Sequence, residues 1–292
     1  MLRRLMGFAS AMFVAVSGCS APAPVGTGAV LRVVPRAIEC DGPSSTESEP
    51  RQDEILIPGG HTWLGCGRGT ACYPEEPPPR EVLLKPYFID RTEMSQGNYQ
   101  RCSGAEVCIP TPAEFVNQFD TETPVRWLRP RDAANYCEWV GKRLCTEDEW
   151  EAAARGFCAD TSCGDDADCC RRTLRWYPWG DEAPDCHKVA TMAYTPECEP
   201  GCNCFIGPVG QLEAGASPFG VLDLAGGAAE ITATKWDDVL PGGADDEGAT
   251  SIVKGGLPAG IHIGFRSTMR SLAFSQGEYS SVGFRCCRSL PE

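Results

Sequence analysis

Histidine is scarce in this chain: His61, His187 and His262 are the three in 292 residues, and they stand far apart. A metal centre built on clustered imidazoles is therefore not expected. Long apolar runs are missing too. Phe8 to Val16 (FASAMFVAV) is nine residues long, against the roughly 20 that a spanning helix needs, and no later stretch is longer and as apolar. Basic residues are few, 26 Lys and Arg against 40 Asp and Glu, for a formal charge of −14. Such an acidic chain has little means of gripping nucleic acid or an anionic bilayer through a basic patch. No nucleic-acid partner is expected, and no internal repeat is visible.

What the chain does have is cysteine, 18 residues of it. The compartment follows from the start of the sequence. Arg3 and Arg4 precede the Phe8–Val16 run, the pattern of an export signal, and the run ends in Val16-Ser17-Gly18-Cys19. An aliphatic residue, two small residues and a cysteine match the bacterial lipobox. Residues 1–18 are thus expected to be a lipoprotein signal peptide and Cys19 the lipidated residue. A lipid anchor in the bacterial cell envelope, at the outer membrane, is the expected location. Export to an oxidising space makes disulfides the default use of the other seventeen cysteines.

Residues 19–52 are rich in Pro, Ser, Thr and Gly and poor in aromatics, which fits a flexible tether. The folded domain is expected over 53–292. Glu54–Ile57 reads as a strand closed by Pro58-Gly59-Gly60, with further strand segments at His61–Gly65, Glu81–Leu84 and Tyr87–Asp90. Ala134, Cys137 and Trp139 or Val140 recur near a 3.6-residue period, predicting a helix over Arg131–Val140 with Cys137 facing inward. Thr146-Glu147-Asp148-Glu149 is a capping box that starts a second helix, carried by Ala152, Ala153 and Ala154 and stopped by Gly156. Residues 157–204 form a Cys-rich insert with eight cysteines. Cys198, Cys202 and Cys204 lack two clean C-x₂-C halves, so disulfide-stapled loops fit better than zinc.

Six segments in series resemble the formylglycine-generating, or sulfatase-modifying factor, family. Tyr87–Ser95 (YFIDRTEMS) is similar to its "F-x-I-D-x-x-E-V-T" opening. Asp132–Glu151 (DAANYCEWVGKRLCTEDEWE) resembles its "D-A-x-x-Y-C-x-W-x-G-K-R-L-P-T-E-A-E-W-E" stretch. Tyr177–Gly180 matches "Y-P-W-G", Phe219–Gly226 resembles "F-G-L-Y-D-M-A-G", and Lys254–Gly256 and Val282–Cys286 match "R-G-G" and "I-G-F-R-C". The likeness runs from about residue 54 to residue 288. It implies an α+β fold of the irregular C-type-lectin-like kind, with few short helices and strands, here rich in disulfides.

The departures bear on function. Family oxidases carry two cysteines after "G-G-S" that bind Cu(I), for which soft thiolates are the fitting ligands. Leu257 to Ser267 contains no cysteine, so formylglycine-generating activity is not expected, and no catalytic residue is assigned. The family's "G-N-V-W-E-W", whose asparagine and glutamate help hold calcium, reads Gly226-Gly227-Ala228-Ala229-Glu230-Ile231 here. Loss of an oxygen ligand weakens a hard-cation site. Glu230 is the one candidate metal ligand, for structural calcium, and no other cofactor is expected. A branch of the family that forms carbon–sulfur bonds uses histidine-held iron from an added helical domain, for which this chain has neither the histidines nor the room.

The resemblance also implies a bridge between the cysteines of "Y-C-x-W" and "G-F-R-C", Cys137 and Cys286. Cys145 and Cys287, beside them, are candidates for a second. Cys102 with Cys108 and Cys66 with Cys72 each enclose five residues and suit local loops, and Cys40 in the tether is the odd thiol. Two functions remain open: a binding or scaffold module for an envelope protein or glycan, and an enzyme of the sulfatase-modifying class with divergent oxidative chemistry. For the binder, Arg266 and Arg270 are candidate contacts to anionic groups, although holding the core through buried hydrogen bonds is the favoured role for both.

Overall fold

In the computed structural model, residues 49–67, 71–74, 76–112, 120–157, 168, 171, 174–190, 206–235, 251–256, 264–273, 277 and 280–291 are described. Cys19, Cys40, most of the tether, most of the Cys-rich insert and residues 257–263 lie outside them. Residues 50–292 belong to one compact unit.

Its first sheet is built on Tyr87-Phe88-Ile89-Asp90, four residues buried on both faces. This strand, β4, lies between β1 (Glu54–Ile57) and β10 (Cys286–Ser289), and β5 (Arg143–Leu144) closes the far side. All pairs are antiparallel, with Ile57 opposite Tyr87, Cys287 opposite Ile89 and Cys286 opposite Leu144. β2 (Gly60–Leu64) and β3 (Arg80–Leu84) form a separate two-stranded ribbon. The second four-stranded sheet has β6 (Ala229–Lys235) between β7 (Ser251–Lys254) and β9 (Val282–Phe284), with β8 (Ser271–Ala273) at the edge beyond β7. β6 and β9 run parallel.

Three α-helices are described. α1 (Gln96–Gly104) starts at Ser95, whose hydroxyl accepts the Asn98 N–H at 3.3 Å. Its residues are polar and show no apolar period, so the sequence carries no periodic trace of it; Gln96, Tyr99 and Cys102 are its buried residues. α2 (Pro130–Trp139) begins with proline at its first turn, where the missing N–H costs nothing, and Asp132 reaches back to the Arg129 N–H. α3 (Glu147–Arg155) carries the capping box: Thr146 accepts from the Glu149 N–H at 3.2 Å, and Glu149 accepts from the Thr146 N–H at 2.9 Å. Gly156, at φ 83°, ends it in a conformation that side chains disfavour.

β10 divides two cores. Successive residues of a strand point to opposite faces. Cys286 therefore joins Cys137 of α2 in a cluster with Tyr99, Tyr136, Ile231 and Phe284. Cys287 joins Cys145 in a cluster with Tyr87, Ile89, Trp150 and Leu224. The Cα atoms are 5.6 and 4.8 Å apart, and all four cysteines are buried. Two adjacent cysteines thus staple both faces of one strand.

Candidate functional site

The same alternation aims Glu230 away from its neighbours. Ala229 and Ile231 enter the first core, while the Glu230 carboxylate turns to Trp150 and accepts its indole N–H at 2.8 Å. Arg285, between β9 and β10, closes on both carboxylate oxygens at 2.6 and 2.7 Å. Its remaining N–H groups donate to the carbonyls of Leu222 at 2.8 Å and Asp90 at 3.1 Å. Burial works against the Arg285 charge, Glu230 outweighs it, and its pKa lies above the ordinary value.

Protein donors engage both oxygens of Glu230, the candidate calcium ligand. A guanidinium and an indole already occupy its oxygens. Gly227, at φ 65°, has no room for a ligand side chain: a Cβ there would stand 2.6 Å from a Glu93 oxygen. Glu93 fills that space and accepts the Ala228 N–H at 2.6 Å. Burial, then the charges of Asp223 and Glu230, pushes its carboxyl well up.

A second network surrounds α3. Glu147, Glu151 and Arg155 lie four residues apart on one face. Lys254 of β7, wholly buried, reaches Glu151 at 3.1 Å and Glu147 at 3.4 Å. Arg155 meets Glu151 at 2.9 Å, and the Gly65 N–H donates to the same carboxylate at 2.7 Å. Arg270 pairs with Glu147 through Nε and, at 2.7 Å, through Nη2. Arg270 is therefore buried and held by Glu147. The i, i+4 spacing of Glu147, Glu151 and Arg155 is the network's one trace in the sequence.

Arg266 lies elsewhere, between the rings of Trp176 at 4.0 Å and Tyr73 at 4.8 Å. It donates to the Ala71 carbonyl at 2.9 Å and to Glu76 at 3.2 Å. Glu76 also accepts from the Tyr73 N–H at 2.7 Å and from the Thr268 hydroxyl. Tyr177 and Trp179 stack next to this face, ring centres 5.0 Å apart; burial raises the Tyr177 phenol and Arg266 opposes it. Tyr73 is exposed and Trp176 and Trp179 are partly so. Cys66 and Cys72 are bonded to each other on the same loop, Cα atoms 5.7 Å apart. Cys102 and Cys108, bonded with a 5.3 Å Cα separation, lie at the end of α1.

A cleft of about 690 Å³ at the edge of the first sheet is lined by Lys85, Tyr87, Arg143, Glu149 and Ser289 among others. Arg143 grips both Glu149 oxygens at 2.7 and 2.6 Å, and the Tyr87 hydroxyl donates to the Glu149 carbonyl at 2.5 Å. The Arg143 and Glu149 charges there offset each other.

The model of the sulfatase-modifying factor enzyme 1-like domain matches residues 41–290. The chain belongs to that family. Among its relatives, the formylglycine-generating enzyme of Mycobacterium tuberculosis is 24% identical over 308 positions, covering 80% of this chain and 96% of the relative. The inactive C-alpha-formylglycine-generating enzyme 2 of Bos taurus is 31% identical over 153 positions, half of each chain. Among solved structures, PvdO from Pseudomonas aeruginosa superposes with a TM-score of 0.61 at 21% identity, over 81% of this chain and 94% of that one. The fold of this sulfatase-modifying-factor domain is the C-type-lectin-like α+β fold, and its matched motifs Tyr87–Ser95, Asp132–Glu151 and Val282–Cys286 meet at β4, β5 and β10.

Proposed function

We propose that this chain is a cell-envelope lipoprotein whose sulfatase-modifying-factor domain binds or scaffolds a partner rather than generating formylglycine. One observation carries the reading: among the described residues, the buried charges around α3 and Arg285 are largely spent on one another. Glu230 with Arg285, Glu147 with Arg270, and Glu151 with Lys254 and Arg155 are buried pairs that hold sheets and α3. Such pairs need each other to offset desolvation and leave nothing for a substrate. The sequence has no cysteine from Leu257 to Ser267, so the thiolate pair that copper requires has no counterpart there. A relative named as inactive supports the same direction.

The binding face is that of Tyr73, Trp176, Trp179 and Arg266, where partly exposed rings flank a guanidinium. Rings of this kind give large contact area at low entropic cost, which suits an envelope protein or a glycan. Among the described residues, no helix is long and apolar enough to cross a membrane. Attachment through Cys19 and the tether over 19–52 would set the domain off the membrane surface.

The test is capture from envelope extract with the purified chain and with Trp176→Ala. A partner retained by the wild type and released by the variant, at unchanged melting temperature, is the expected result. Equal capture by both places binding elsewhere and defeats this face.

A further inference from the structure

The loop between β2 and β3 carries a feature the family motifs do not include. The sulfurs of Cys66 and Cys72 and a carboxylate oxygen of Glu76 all lie within 4.8 Å of one another. Cys66 is 4% exposed and Cys72 half-buried, while the Glu76 side chain is fully enclosed. We propose that this loop is a redox-gated site for a thiophilic divalent cation of the zinc type. Oxidised, the cysteines form the disulfide clip seen in the structure; reduced, they and Glu76 make a three-ligand set.

Geometry and charge both favour this assignment. Tetrahedral zinc with Zn–S near 2.3 Å and Zn–O near 2.1 Å keeps its donors about 3.5–4 Å apart, so opening the sulfur–sulfur bond brings the three donors close to that spacing with small side-chain movements. Glu76 is held in place from three directions: the Tyr73 N–H, the Arg266 guanidinium and the Thr268 hydroxyl. Two thiolates and one carboxylate carry three negative charges, and Arg266 supplies one positive. A divalent cation brings the buried cluster to neutrality; a monovalent one does not. Three protein ligands leave a fourth position open, the arrangement of reactive rather than purely structural zinc. Ser267, between Arg266 and Thr268, has a buried hydroxyl without a hydrogen-bond partner among the described residues.

Access orders the chemistry. The other three described bridges for which both partners are known involve cysteines no more than 4% exposed. Cys72 is the more exposed residue of the pair, and exposed bridges are the ones that external thiols reach. A dithiol reductant attacks Cys72, the bond to Cys66 breaks, and Cys66 leaves as thiolate. The second reductant thiol then displaces Cys72, so the reductant ends as a disulfide. Its two protons and two electrons pass to Cys66 and Cys72. Cation binding releases the thiol protons to solvent.

The experiment uses the whole chain under graded dithiol reduction, followed by alkylation mapped cysteine by cysteine, with and without Zn²⁺. Cys66 and Cys72 should be the first of the eight bridge cysteines named here to become alkylatable. Zn²⁺ should slow alkylation of both by about tenfold or more, and Glu76→Gln should lose most of that protection. Because Glu76→Gln removes partners of Arg266 and Thr268, a second measurement stands beside it. Reduced wild-type chain loaded with Co²⁺ should show thiolate-to-metal absorption that the Cys66→Ser/Cys72→Ser double variant lacks. The proposal is overturned if Zn²⁺ leaves the alkylation of Cys66 and Cys72 unchanged, if the buried bridges open first, or if the Co²⁺ spectra of wild type and double variant coincide.

Discussion

Glu151 shows what the buried charges do. Burial alone would raise its carboxyl; Lys254 and Arg155, with the Gly65 N–H, outweigh that and hold it at about 2. An unfolded glutamate titrates near ~4.3. The folded pKa is the lower one, so this group's contribution is full above about pH 4.3 and is lost as pH falls through about 2. The shift corresponds to something on the order of 3 kcal/mol. Glu93 has the opposite sign: its raised carboxyl favours the folded chain at low pH and loses that contribution as pH rises through its folded value. Glu151→Gln should therefore lose about 3–5 kcal/mol at pH 7, leaving Lys254 undercompensated, and should lose less further stability than wild type between pH 5 and 2. Denaturant melts at both ends of that range check it; an unchanged midpoint at pH 7 would show that Lys254 does not depend on Glu151. At this scale the sequence was only partly legible. Glu147, Glu151 and Arg155 announce a shared helix face, but nothing local tells that Lys254 or Arg270, about 100 residues on, completes it.

Elements were legible where their signals are local. The capping box at Thr146 and the apolar period around Cys137 located α3 and α2 to within a residue or two. α1 escaped because a helix held by Tyr99, Cys102 and one N-cap has no amphipathic stripe to detect. β6 was hidden for another reason: its parallel partner β9 comes some fifty residues later, and pairing at that distance leaves no periodic trace. β10 makes the case for covalent ties between elements. The Cys137–Cys286 bridge closes a separation of 149 residues, for which loop entropy gives about 4–5 kcal/mol. Cys137→Ala should therefore melt clearly lower than wild type in thermal unfolding, while the Cys145–Cys287 bridge on the opposite face still forms in non-reducing peptide maps. A melting temperature equal to that of the wild type would show that the second staple suffices.

At the scale of the whole molecule, six short motifs in order carried the family, and three of them, Tyr87–Ser95, Asp132–Glu151 and Val282–Cys286, mark strands and helices that meet around β4 and β10. The chemistry was less legible, since a motif gives a residue's identity and not its partner: nothing in the motifs themselves tells that Arg270 pairs with Glu147 or Arg285 with Glu230. Where the chain resides is a separate matter, resting on Val16-Ser17-Gly18-Cys19. Metabolic labelling with a palmitate analogue should mark the wild type and leave Cys19→Ala unmarked; equal labelling of both would remove the lipid anchor from the account. The function proposed for this sulfatase-modifying-factor domain keeps the family fold without the oxidase chemistry. Its most direct test is mass spectrometry of a sulfatase-type cysteine peptide incubated with the copper-loaded chain and oxygen. The account predicts that the peptide's cysteine stays unconverted. Turnover of that cysteine to formylglycine would contradict it.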